Sequence, residues 1–138
     1  MGTIHSHSLG KHEILRKQQL ISLLFSSGKS AKGNFLRVVY AFVDPEHAVV
    51  RGATAFMPVV GKKKLSSAVQ RNRIKRMMRE AYRLEKAGFA RHREYPQNES
   101  ALKMLCLVFI YMGGKKPFPA LELFRQEMRE LAEKITCP

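Results

Sequence analysis

Tryptophan is missing from this 138-residue chain, cysteine occurs only twice, and 11 acidic side chains face 25 lysines and arginines. Each scarcity excludes something. Cys106, inside an apolar run, and Cys137, one residue from the end, make neither a disulfide framework nor a zinc spacing. No apolar run approaches the roughly 18–20 residues that a membrane-spanning helix requires, and no charged start followed by an apolar stretch marks a secretion signal. A soluble, cytoplasmic protein with no membrane partner and no obligate protein partner is the expectation. His5 and His7 stand in a Gly/Ser/His-rich start with no further ligand nearby to complete a metal site. Residues 1–10 are therefore expected to form a flexible arm ahead of one domain over 11–138, which no repeat or linker divides.

The shortage of acid leaves a formal net charge of +14 and a pI near 10.3. With 45% apolar residues the chain can still bury a core, so it is not a disordered basic tail. A basic globular domain usually meets a polyanion. The excess is lopsided: residues 1–79 hold 15 lysines and arginines against Glu13, Asp44 and Glu46, a net +12, and residues 80–138 hold a net +2. The polyanion site is expected in the first part of the chain, through the helix that ends it.

Periodicity divides the domain into six elements. Ile14, Leu15, Leu20, Ile21, Leu24 and Phe25 recur at helical spacing over residues 12–26, and Gly28 ends the pattern. Residues 34–43 are rich in β-branched and aromatic side chains and close at Asp44-Pro45, which predicts a strand. Residues 48–60, with Gly52 as a bulge and Pro58 at an edge, predict its hairpin partner. Ser66 and Ser67 are good N-caps for a helix that runs to about Lys86 and stops at Gly88. A polar loop with Pro96 and Asn98 follows. The unbroken apolar run Met104–Met112 suits a strand covered on both faces. A last helix over 120–135 carries the stripe Leu121, Phe124, Met128, Leu131 and Ile135. The order α-β-β-α-β-α implies an α+β single-domain sandwich of one mixed sheet and three helices, with room for an extra short strand.

The middle helix carries the charge. Stepping about 100° per residue, Arg71, Lys75, Arg79, Asn72, Arg83 and Arg76 fall on one arc, and Leu84, Met77, Ala81, Ile74 and Met78 fall on the other. A solvated helix face normally mixes signs through i,i+4 pairs, whereas Arg71, Lys75, Arg79 and Arg83 repeat one sign at that spacing. Rows of phosphates compensate such a face, and arginine's planar fork can hold a phosphate bidentately. Lys62, Lys63 and Lys64 extend the patch just ahead of the helix. Residues 62–83 contain one carboxylate, Glu80, and no His or Cys. They provide neither a carboxylate pair for metal ions nor an acid/base pair, so no catalytic or metal-ligating residue is expected here. Glu80 reads as an ion-pair partner within the helix.

The run Arg71-Asn72-Arg73-Ile74-Lys75-Arg76-Met77-Met78-Arg79-Glu80, after Ala68-Val69 and before Ala81-Tyr82-Arg83, resembles the signature of the bacterial ribonuclease P protein family. The element order agrees over roughly residues 11–135. The resemblance implies a fold like the second domain of ribosomal protein S5, with a left-handed β-α-β crossover where general rules favour the right-handed form. It implies an accessory subunit of an RNA-based endoribonuclease. A large catalytic RNA would hold the active site and its Mg2+ ions, and the holoenzyme would cut the 5′ leader from precursor tRNA. Carried onto this chain, the resemblance implies that Arg71, Asn72, Arg73, Lys75, Arg76 and Arg79 contact the RNA backbone, with Arg83 and the lysine triplet beside them. It also implies a cleft between the sheet and the first helix that guides the single-stranded leader. Phe25 matches an aromatic there and reads equally as a base-stacking platform or as core. Ile21 stands where the family often has a second aromatic, and Val38 where a strand aromatic is expected. Tyr40, two residues on and so on the same side, is a substitute for it. Two other readings compete: a non-catalytic RNA-binding protein of ribosomal type, and a duplex-DNA binder, which the lack of helix-turn-helix spacing disfavours.

Overall fold

The computed structural model describes residues 18–43, 54–90, 104–114 and 117–135. Among these residues the order is α1 (Gln18–Ser27), β1 (Lys29–Lys32), β2 (Leu36–Val43), β3 (Thr54–Val59), α2 (Ala68–Ala90), β4 (Met104–Tyr111) and α3 (Leu121–Lys134). The expected arm over residues 1–10, Gly52 and the loop around Pro96 and Asn98 lie outside them. The α+β expectation of three helices on one mixed sheet holds, and the extra short strand is β1.

The sheet runs β1-β2-β4-β3. β2 pairs antiparallel with β1 and with β4, and β3 pairs parallel with β4. The hairpin expected between the second and third strands does not form, because β4 lies between them. The physical reason is burial: β4 places Leu105, Leu107, Phe109 and Tyr111 in the core under α2 and α3, and Cys106 and Val108 in a smaller core under α1. A strand apolar on both faces is stable only in the interior of a sheet covered on both sides. β3, which contains Pro58, takes the edge, where a missing N–H disrupts no ladder.

α2 does not stop at Gly88. It continues to Ala90 because Phe89 is fully buried, 5.6 Å from the Tyr82 ring and 5.7 Å from Phe109. Burying that ring outweighs the cost of about 1 kcal/mol for a mid-helix glycine. A Cβ on Gly88 would stand 3.9 Å from the Ala132 Cβ, so the small residue sits where α2 and α3 approach. Tyr82 stacks on Phe56 of β3 at 4.3 Å with the planes 3° apart, which fixes the rotation of α2 on the sheet.

Two carboxylates tie α3 to the rest of the fold. Glu127, nearly fully buried, accepts hydrogen bonds from the backbone N–H groups of Asn34 (2.5 Å) and Phe35 (2.9 Å) in the β1–β2 turn. Gly33 is required beside it, since a Cβ there would approach the Glu127 carboxyl carbon to 2.7 Å. Glu85 of α2 accepts from Arg125 (2.7 Å) and Arg129 (2.9 Å) of α3.

Candidate nucleic-acid interface

The residues that set the direction of α2 lie just ahead of it. Leu65 is fully buried, and its N–H and that of Lys64 both donate to the Gly61 carbonyl at 3.2 Å, closing a turn that exposes Lys62, Lys63 and Lys64. Ser67 caps the helix: its Oγ accepts from the Gln70 N–H at 3.3 Å, and its carbonyl accepts from the Arg71 N–H at 3.0 Å. The Arg71 guanidinium turns back to donate to the carbonyls of Leu65 and Ser66, each at 2.8 Å. Arg71 therefore braces the lysine turn as well as carrying charge.

The buried stripe of α2 consists of Ile74, Met78, Ala81, Tyr82 and Phe89. Tyr82 falls on the side the helical projection assigned to the cations, so the outward direction is rotated away from Arg71 and Lys75. Arg71, Lys75 and Arg83 are half-buried flanks, and Asn72, Arg73, Arg76 and Arg79 are exposed along the crest. Met77 and Leu84, expected in the core, are partly exposed. Glu80 pairs with Arg83, through Nε at 3.2 Å and through a second, shorter contact from Nη2. That hydrogen bond, more than the charge of Arg83 alone, holds the Glu80 carboxyl below the usual carboxylate range. The crest thus keeps one sign.

No acidic side chain occupies the first turn of α2. A helix N-terminus carries partial positive charge, and here three exposed lysines, rather than a carboxylate, lie in the turn ahead of it. Electrostatically this end of the molecule suits a multivalent anion.

The other set of candidate residues divides between two faces of the sheet. Ile21 of α1 is half-buried against the smaller core, and Leu24 is the α1 side chain fully buried there. Phe25 projects outward with 54% of its surface exposed, so of its two readings the core one is set aside. Val38 and Tyr40 do share a face, as the two-residue period requires, but it is the opposite one: both are buried in the core under α2 and α3, at 0% and 4% exposure. They cannot line a cleft beside α1. Exposed Arg37 alternates with them and shares its face with Val39, which packs in the core under α1. The period-2 rule together with the +1 charge could have singled out Arg37; which face α1 covers was not legible from that rule.

The ribonuclease P family profile matches residues 9–135. The chain belongs to the ribonuclease P protein family. It is 43% identical over 135 residues to the ribonuclease P protein component of Chlorobium phaeobacteroides, covering 98% of this chain and 92% of that one. With the Chlorobaculum tepidum component it shares 37% identity over 130 residues, 94% of this chain and 84% of the relative. The solved ribonuclease P protein of Thermotoga maritima superposes with a TM-score of 0.64 at 22% identity, over 90% of this chain and 98% of that chain, and so shares the fold. Membership makes this chain a protein component of a ribonucleoprotein that processes tRNA at its 5′ end, with RNA as its partner.

Proposed function

We propose that this ribonuclease P protein is the accessory subunit of a cytoplasmic holoenzyme. It docks the catalytic RNA on the crest of α2 and the lysine turn, and it steers the single-stranded 5′ leader of precursor tRNA along the α1 side of the sheet. The observation that carries this reading is the one-signed crest: Arg73, Arg76 and Arg79 are exposed, while the one carboxylate of that stretch is paired with Arg83. Backbone phosphates are recognised by charge and position, which suits a subunit that serves precursors of any sequence. Arg71, Lys75 and Arg83 add charge from the flanks. On the leader side, exposed Phe25 offers a ring on which any base can stack, with Ile21 and Arg37 beside the same face of the sheet.

Among the described residues no three His, Cys, Asp or Glu side chains come together. Glu80 and Glu85 are engaged by guanidiniums and Glu127 by backbone N–H groups. In this reading Mg2+ and phosphodiester hydrolysis belong to the RNA, as the family resemblance implies, and binding and orientation to this chain. The test is reconstitution of the protein with a bacterial ribonuclease P RNA and labelled precursor tRNA at low magnesium. Faster 5′-leader release than with RNA alone is expected; RNA binding without any gain in cleavage would instead favour the ribosomal-type reading.

A further inference from the structure

An open groove runs along one flank of the α2 crest. It consists of two adjoining hollows of about 540 and 740 Å³, both bounded by Arg73 and Met77, within the range of small-ligand clefts. Phe118, between Pro117 and Pro119, lines the smaller hollow, and Leu121 at the start of α3 lines the larger. Phe118, Leu121 and Met77 are half-buried, their inner atoms packed on the core and the remainder facing the groove. Val69, with 79% of its surface in solvent, lines the larger hollow together with Arg73 and Arg76. The rim is Asn72, Arg73 and Arg76, and the acidic lining group, Glu80, is already paired with Arg83.

We infer that this groove receives an unpaired nucleobase of the partner RNA, whose flanking phosphates lie on Arg73 and Arg76. The inference rests on the proposed docking of RNA along α2. Phosphate contacts alone need no apolar floor; an apolar floor framed by cations matches a nucleotide, which is flat and apolar on its faces and anionic at its backbone. Unstacked bases in RNA are held by aromatic rings and guanidinium planes, and Phe118 with Arg73 offers both. Asn72 adds an amide able to donate and accept at a base edge. Charge complementarity selects RNA over a protein segment, since a peptide seated here would need acid on both flanks.

The test measures binding of the full-length chain to a bacterial ribonuclease P RNA transcript over a range of salt concentrations. Phe118→Leu keeps apolar volume against the core but removes the ring. It should weaken binding by about 5- to 100-fold, as loss of one base stack does, with the salt dependence unchanged. Phe118→Tyr should restore binding. Arg76→Ala should weaken binding and also flatten the salt dependence by about one phosphate equivalent. Base-specific chemical probing should show unpaired positions of the RNA protected by the wild-type protein and exposed with Phe118→Leu, while backbone protection persists. Wild-type affinity for Phe118→Leu alongside a weakened Arg76→Ala overturns the groove alone, and is also the result expected if the groove serves an acidic peptide. Unchanged binding by both variants overturns the docking surface and the groove together.

Discussion

Phe25 keeps 54% of its surface in solvent and Tyr40 keeps 4%, although both are aromatic residues near the start of the domain. Their substitutions should separate accordingly. Tyr40→Ala should destabilise the fold by about 3–5 kcal/mol, the usual cost of truncating a buried ring, as read by urea unfolding. Phe25→Ala should shift stability by no more than about 0.5 kcal/mol, yet weaken binding of precursor tRNA carrying a leader relative to mature tRNA. Equal effects on both tRNAs would remove Phe25 from the leader path. Cys106 behaves as a small hydrophobe: burial pushes its thiol up to about 12 from 9.0. Because the folded value is the higher one, the thiol's contribution to stability is complete below the ordinary thiol range and fades as pH rises toward 12. In a Cys137→Ser background, a thiol reagent at pH 8 should leave Cys106 unlabelled until denaturant is added.

The β1–β2 hairpin and α3 depend on one carboxylate. Glu127→Ala strands two backbone N–H groups, and should cost about 2–3 kcal/mol, the scale of hydrogen bonds to a charged acceptor; denaturant titration checks this. Gly33→Ala should be destabilising as well, because its Cβ would meet the same carboxyl group. At this scale the sequence was legible where one element's own periodicity sufficed: the α3 stripe Phe124, Met128, Leu131 and Ile135 is buried as its spacing predicts. It was misleading where an element's partner lies far along the chain. β1 is Lys-Ser-Ala-Lys, mostly exposed, and shows no strand alternation; its signal was the Gly33-Asn34 pair that opens the turn. The polar edge is nonetheless physically sensible, since lysines on an edge strand discourage pairing with other chains. Glu127 gave no warning either, because on α3 alone it reads as one more solvated acid.

At the scale of the whole molecule, the +14 charge is unevenly placed along the sequence, with a net +12 over residues 1–79. Among the described residues, six of the exposed cations, Lys62, Lys63, Lys64, Arg73, Arg76 and Arg79, belong to the lysine turn and the helix it opens. If each meets one phosphate, the logarithm of the RNA affinity should fall with the logarithm of salt with a slope of roughly −4 to −5. A slope near −1 in filter binding would mean that most of these groups face no RNA. The arginine-rich signature was enough to point to the family, and composition and helical spacing to the three helices and a cation-rich face on α2, because charge count and periodicity are properties of neighbouring residues. Three things depended on how distant segments meet: the insertion of β4 between β2 and β3, the burial of Val38 and Tyr40 under α2 and α3, and the rotation of α2 that lifts Asn72, Arg73, Arg76 and Arg79 to the crest. Each follows from which apolar surfaces cover one another, and that competition is resolved only when the whole core is assembled.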